Sequence, residues 1–395
     1  MTKLDELIQE LCPDGVKYLP IPELFITRNG YTPSKANNEF WENGTIPWFR
    51  MEDIRENGRI LTTATQYVSE KAVKGKLFPA DSIIIATSAT IGEHALIKVP
   101  SLANQRFTYL TLKDEFKDCV DMMFVFYYCF RLDEYCKSHL NQGNFASVDM
   151  KQFAAFKFPV PPLPVQCEIV RILDNFTELT AELTAELTAE LTARKQQYAY
   201  YRDKLLTFGD VRGGATSDVV WKTLAEIADI STGSSNTDDA VKGGCYPFFV
   251  RSQQLLAKDE YEYDEEAIIT AGDGVGVGNV FHYINGKYAL HQRAYRIHPA
   301  TDGLLGKYLY HYFVATFPKY IGQQMYQGSV PSIRRPMLNK FQVAIPSLDV
   351  QSRIVNVLDN FDAICTDLSS GLPAEIEARQ KQYEYYRDKL LSFEE

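Results

Sequence analysis

The run GDGVGVG, with Gly272, Gly274, Gly276 and Gly278, is the stretch of this chain most suggestive of phosphate chemistry. Glycine-rich turns can lay backbone N–H groups against an anion. The spacing here is not GxGxxG, and the matching stretch of the first half, ATSATIG, has one glycine. A tight turn, or a loop approaching the backbone of a ligand, is the expected structure. His94, His139, His282, His291, His298 and His311 stand apart from one another and are expected as surface or satisfied core residues, not bases or metal ligands. The seven cysteines (Cys12, Cys119, Cys129, Cys136, Cys167, Cys245 and Cys365) form no CxxC pair, which fits reduced thiols. No HExxH or GxSxG occurs, and no phosphate loop followed by Lys-Ser or Lys-Thr. The one Pro-Pro pair, Pro161-Pro162, lacks the Asp/Asn before it and the aromatic after it that an amino-methyltransferase would need. The chain is expected to hold no catalytic residue and no metal site.

The elements that would carry any site come in two copies. QCEIVRILDNF at 166–176 returns as QSRIVNVLDNF at 351–361, and ARKQQYAYYRDKLLTF at 193–208 returns as ARQKQYEYYRDKLLSF at 378–393. Both are displaced by 185 residues, which marks a duplication. The offset continues upstream from Gln142-Gly143 to Gln327-Gly328 and from Ser147 to Ser332, and drifts to 187 between Gln105-Arg106 and Gln292-Arg293. Each half therefore reads as a variable domain followed by a near-identical arm: 1–160 with 161–208, then 209–345 with 346–395.

Ile169, Ile172, Phe176, Leu179 and Leu183 are spaced 3, 4, 3, 4, an apolar helical seam repeated by Ile354, Val357, Phe361, Ile364 and Leu368. The arms are expected as long, antiparallel, coiled-coil-like helices packed on each other. Pro161, Pro162 and Pro164 punctuate the start of the first, and Gly209, Gly213 and Gly214 its exit. It contains three Thr-Ala-Glu-Leu units at 180–191, where the second arm has Gly371 and Pro373, which should break or kink its helix. The large domains show strand-like runs at 81–87 and 267–271 and aromatic helix candidates at 120–135 and 304–320. The expected fold class is α+β: two mixed α/β domains held by the helical arms.

With 45% apolar and 23% charged residues in a chain of 395, a soluble protein of two or three domains is expected. The N-terminal stretch MTKLDELIQELCPDG is acidic and amphipathic, unlike a signal peptide, and no apolar run approaches membrane-spanning length. A cytoplasmic location is the expectation. The net charge of −10 is concentrated in the arms. Residues 1–160 carry 18 basic and 20 acidic side chains and 211–345 carry 13 of each, against 5 and 8 in 161–210 and 5 and 10 in 346–395. Overall acidity therefore leaves a basic face possible on each domain.

Two dissimilar domains, each followed by an arm with Ile-Val-x-x-Leu-Asp-Asn-Phe and later Tyr-x-Tyr-Tyr-Arg-Asp-Lys-Leu-Leu, resemble the specificity subunit of type I restriction-modification systems. The Thr-Ala-Glu-Leu repeat is similar to the spacer of one branch of that family. The resemblance covers the whole chain. It implies a non-catalytic subunit that binds a bipartite site in double-stranded DNA, one half per target-recognition domain. It also implies two modification (methyltransferase) subunits and ATP-driven restriction subunits as partners. S-adenosylmethionine, ATP and Mg would belong to those partners, with no cofactor on this chain. An adaptor scaffold that binds no DNA, and a standalone DNA methyltransferase, are the rival readings.

A reader of split DNA must offer Arg, Asn, Gln or Ser to base edges and Lys or Arg to phosphates. Polar loops recur at matching places: Gln105-Arg106 with Gln292-Arg293, and Gln142-Gly143-Asn144 with Gln327-Gly328-Ser329. Arg50, Ser88, Arg251, Arg334 and Arg335 are further candidates from polar loops with aromatic neighbours. In the arms, Tyr198, Tyr201, Tyr383 and Tyr386 could dock the modification subunits, or could simply pack the two helices together.

Overall fold

The computed structural model describes residues 2–141, 146–208, 219–322, 331–367 and 370–393. The chain forms two compact units, Met1–Thr184 with Ala378–Glu395, and Ala185–Glu377.

In the first unit a five-stranded sheet runs in the order Phe25–Asn29, Phe107–Leu112, Ser82–Ala86, His94–Ile97, Ile60–Leu61. Its pairs are antiparallel except the last. The unbroken apolar run at 83–86 follows from burial on both faces: Ile83 and Ile85 enter one core, while Ile84 and Ala86 enter another. The first core is closed by the aromatic helix Met122–Ser138, which starts two residues later than the sequence pattern suggests. Asp121 sets that start, its carboxylate accepting the Met123 N–H at 2.7 Å.

The second unit has a six-stranded sheet in the order Ala228–Thr232, Ala294–Pro299, Tyr263–Ala271, Phe281–Leu290, Tyr246–Phe249, Leu256–Lys258. Ile268 points into the core beneath the aromatic helix Gly306–Gly322, and Ala267 and Ile269 point to the opposite face. The same strand-and-helix layering is thus built from different sequences.

The first arm is one helix, Leu163–Leu206, of 44 residues, running unbroken through the three tetrapeptides. Pro164 is tolerated because it lies in the first turn, where its missing N–H would have no helical partner. The second arm is not one long helix. It divides into Leu348–Thr366 and Leu372–Leu390, with Gly371 directly before the second helix and Pro373 in its first turn.

The seams do not simply face each other. Ile169, with Val165 and Leu173, is buried in the core of the first unit, and Ile354 and Leu358 in that of the second. Beyond these positions, the seam of one copy meets the tyrosine segment of the other. Within the first unit Phe176 packs on Tyr386 at 6.3 Å between ring centroids, and the Thr177 and Tyr383 hydroxyls are 2.9 Å apart. Within the second, Phe361 stacks on Tyr201 at 5.9 Å. Positions 176 and 361, and 201 and 386, are repeat equivalents, so the two contacts are reciprocal. Leu391 accordingly lies in the core of the first unit and Leu206 in that of the second.

Each arm is tied to its domain by a buried glutamine. The Gln166 side-chain amide donates to the Pro161 and Cys119 carbonyls at 2.7 and 2.8 Å and accepts from the Asp121 N–H at 2.8 Å. Gln351 repeats this with Pro346, Gly303 and Leu305 at 2.8, 2.9 and 2.9 Å. An apolar replacement would strand three backbone groups, each at a cost of about 1–3 kcal/mol. This explains why a polar residue persists at an otherwise apolar junction.

Candidate nucleic-acid interface

One edge of each unit is built on the same backbone frame. In the first, the strand Ser82–Ala86 runs out into Thr87-Ser88-Ala89. The Thr87 N–H donates to the Arg106 carbonyl at 3.0 Å, and the Thr87 carbonyl accepts from Val148 at 2.9 Å. Ser88 pairs with Ser147, and Asn104 N–H donates to the Phe49 carbonyl at 3.0 Å. In the second unit Gly272 donates to Arg293 at 2.8 Å and accepts from Ile333 at 2.8 Å. Asp273 pairs with Ser332, and His291 donates to Phe249 at 2.9 Å. Ala89 and Gly274 both take left-handed backbone, with φ 65° and 80°. That conformation is cheap for glycine and strained for alanine, so the loop shape is kept in the first unit against a local penalty.

This frame brings Arg50, Ser88, Gln105 and Arg106 to one edge, and Arg251, Gln292, Arg293, Arg334 and Arg335 to the matching edge of the other unit. Arg50 follows the strand Ile46–Phe49; its guanidinium donates to the Thr65 hydroxyl at 3.0 Å and lies 6.0 Å from the Trp48 ring centre. Ser88 is half-buried. Gln105 accepts from the Thr32 hydroxyl. The exposed Arg106, Arg334 and Arg335 guanidinium groups make no hydrogen bond or ion pair to the described residues. Gln142, Asn144, Gln327 and Ser329 lie outside the described residues.

The second edge also holds a cluster that the sequence reading missed. Asp273 accepts from Arg251 Nη1 at 2.7 Å and from Arg293 Nη1 at 3.2 Å. Partial burial works to raise the Asp273 carboxyl, but the hydrogen bond and charge of Arg251, with the charge of Arg293, outweigh it and hold it below the ordinary carboxylate range. Burial, then the Arg251 charge, lower His291, whose Nδ1 accepts the Arg293 N–H at 3.0 Å. A cleft of about 440 Å³ opens beside Arg251, Arg293, Gln292 and Asn236. Nothing local in the sequence could show the cluster, because Arg251, Asp273 and Arg293 lie on three separate elements. The one available signal was the glycine run beside Asp273.

Among the described residues no group of three His, Cys, Asp or Glu side chains is placed to hold a metal, and no helix is long and apolar enough to cross a membrane. His94 and His311 are buried core residues hydrogen-bonded to Asp133 and Asp359 at 2.6 and 2.8 Å.

Of the arm tyrosines, Tyr198 is half-buried, its hydroxyl pushed up to about 12 by burial and then by the Asp362 charge. Tyr383, Tyr201 and Tyr386 face the other arm copy through the contacts described above. The outward residues are Tyr200 and Tyr385, 60% and 63% exposed, which the sequence reading passed over. Helical geometry could have found them, since residue 200 lies about 160° around the helix from 198.

A family model described as type I restriction modification DNA specificity domain matches residues 13–193 and again 216–378. The specificity subunit of the type I restriction enzyme EcoprrI of Escherichia coli is 43% identical over 384 residues, 93% of each chain. That of EcoR124I/EcoR124II, also of Escherichia coli, is 34% identical over 284 residues, 65% of this chain and 68% of the other. A chain solved in work on complex assembly and conformational transition of the type I R-M system superposes with a TM-score of 0.69 at 15% identity, covering 96% of this chain and 98% of its own. The HsdS subunit from Thermoanaerobacter tengcongensis gives 0.53 at 14% identity over 96% and 94%; at such identities both show the fold alone. The duplicated frame, the family match in both halves and the near full-length relative agree, and the chain belongs to the family of type I restriction-modification specificity subunits, the non-catalytic subunits that recognise DNA sequence.

Proposed function

We propose that the chain reads a bipartite duplex site, with residues 1–160 and 209–345 as the two target-recognition domains, one per half-site. The observation that carries this is the repeated edge: the same backbone hydrogen bonds present Ser88, Gln105 and Arg106 in one unit and Asp273, Gln292 and Arg293 in the other. A common scaffold with different side chains is what reading two different half-sites requires. Arms 161–208 and 346–395 seat two modification subunits. These bring S-adenosylmethionine, and the restriction subunits that join them bring ATP and magnesium. The assembly works in the cytoplasm. Mobility-shift assays on duplexes carrying both half-sites test the reading. Binding should weaken steeply with salt as phosphate contacts are screened, and should be lost when either half-site is scrambled. Equal affinity for duplexes lacking one half would overturn it.

The docking surface on each arm is its outward face. Tyr200, with Lys204 lying 5.7 Å from its ring, and the repeat-equivalent Tyr385 give the two arms matching exposed patches. Tyr198, Tyr201, Tyr383 and Tyr386 support those patches by holding the helices together. Substituting Tyr385→Ala should leave a complex with one modification subunit by native mass measurement, while Tyr200→Ala should remove the other. Two-partner stoichiometry in both variants, and in a scan of the neighbouring exposed positions, would refute the docking role.

A further inference from the structure

The glycine run at 272–278 is explained by its neighbours. A Cβ at Gly272 would collide with the Arg293 carbonyl, and one at Gly276 with the Arg251 carbonyl. The loop is therefore seated directly against the backbone of both arginines whose side chains Asp273 holds. At its tip Val275 is 95% exposed, an apolar side chain held out from the surface between two glycines. The guanidinium groups are bridged by one carboxylate, yet their side chains keep 40% and 60% exposure. Each gives Asp273 one N–H through Nη1, which leaves most of its five donors directed elsewhere.

We propose that Arg251, Asp273 and Arg293 form a pre-set reading head for a guanine in the half-site of the second domain, with Asp273 as the positioning residue. The proposal rests on the reading of the chain as a bipartite DNA binder and names what one half of it recognises. An arginine fork fits guanine because its two N–H groups match the O6 and N7 acceptors in the major groove. A carboxylate that fixes the fork beforehand removes part of the ordering cost of binding. A free arginine would serve a phosphate equally well; a buttressed one is suited to an acceptor pair at a set position. Among the described residues the first unit has no such head. Ser88 occupies the place of Asp273, and the backbone register that matches Phe49 to Phe249 puts the buried Met51 at the place of Arg251. The effect must therefore be confined to one half-site.

The test uses the full chain with its modification subunits, selecting from duplexes in which the first half-site and gap are fixed and the second half-site is randomised. The unaltered protein should select a guanine at one or more fixed positions. Arg251→Lys and Arg293→Lys keep the positive charge but lose the fork, and at least one should reduce preference for that guanine by roughly 5- to 150-fold. Asp273→Asn should relax the same position. A parallel selection with the second half-site fixed and the first randomised should return the same first half-site for all three variants, which controls for folding. A guanine preference retained by all three variants, or a selected half-site without guanine, would overturn the reading head and leave the bipartite reading standing. Absence of any selection in the randomised half by the unaltered protein would instead bring down both.

Discussion

Deleting one Thr-Ala-Glu-Leu unit from residues 180–191 will shorten the preferred gap between half-sites by one base pair and leave both half-sites unchanged. The units lie inside a single unbroken helix, Leu163–Leu206, so their removal changes the length and the phase of one rod. Four residues contribute about 6 Å of rise and about 40° of rotation. A base pair contributes about 3.4 Å and, at roughly 10.5 per turn, about 34°. Rotation matches one base pair while rise is nearer two, and a helix inclined to the duplex axis projects a shorter rise, so rotation decides. Deleting two residues instead shifts the phase by about 160° and should abolish bipartite binding. Methylation or binding across duplexes that differ only in the gap measures both effects. An unaltered preferred gap after loss of a whole unit would show that the repeat does not set the spacing.

Replacing residues 1–160 with the corresponding domain of a related subunit should exchange one half-site completely and preserve the other. Each sheet has its own core and its own copy of the edge frame, so neither domain needs the other to shape its loops. The donor must still supply what the arm expects: a carbonyl and an N–H placed like those of Cys119 and Asp121 for Gln166, and an arginine like Arg131, which donates to the Asp388 carbonyl at 2.7 Å. A chimera that keeps these contacts and nevertheless loses both half-sites would show that the domains read jointly.

Much of this architecture is legible in the sequence, for specific reasons. The duplication shows because the arm positions Gln166 and Gln351, and Leu206 and Leu391, have identical buried roles that tolerate little change. The aromatic helices show because both bury long apolar faces, and the later start of the first is a matter of capping by Asp121. The seam was readable as helical but not in its destination. Ile169 and Ile354 serve their own domains, whereas Phe176 and Phe361 cross to the tyrosines of the other copy, and periodicity cannot tell a domain core from a partner helix. Tyr200 and Tyr385 were hidden among neighbours of the same type. The Asp273 bridge was invisible, since hydrogen bonds between distant loops leave no spacing to find.

The placement of Leu391 has a consequence for synthesis. The second unit is a continuous stretch, Ala185–Glu377, and can close as it leaves the ribosome. The first unit cannot. Its core includes Leu391, and the Tyr18 hydroxyl donates to the Phe393 carbonyl at 3.2 Å, but this segment is translated after the whole of the second unit. At about 5–20 residues per second, the nascent first unit waits on the order of 10–40 s with its core lacking Leu391 and with Phe124 lacking its Phe393 neighbour. The unit whose translation begins first is thus the last to mature, and for that interval it is the part of the chain that chaperones and proteases meet.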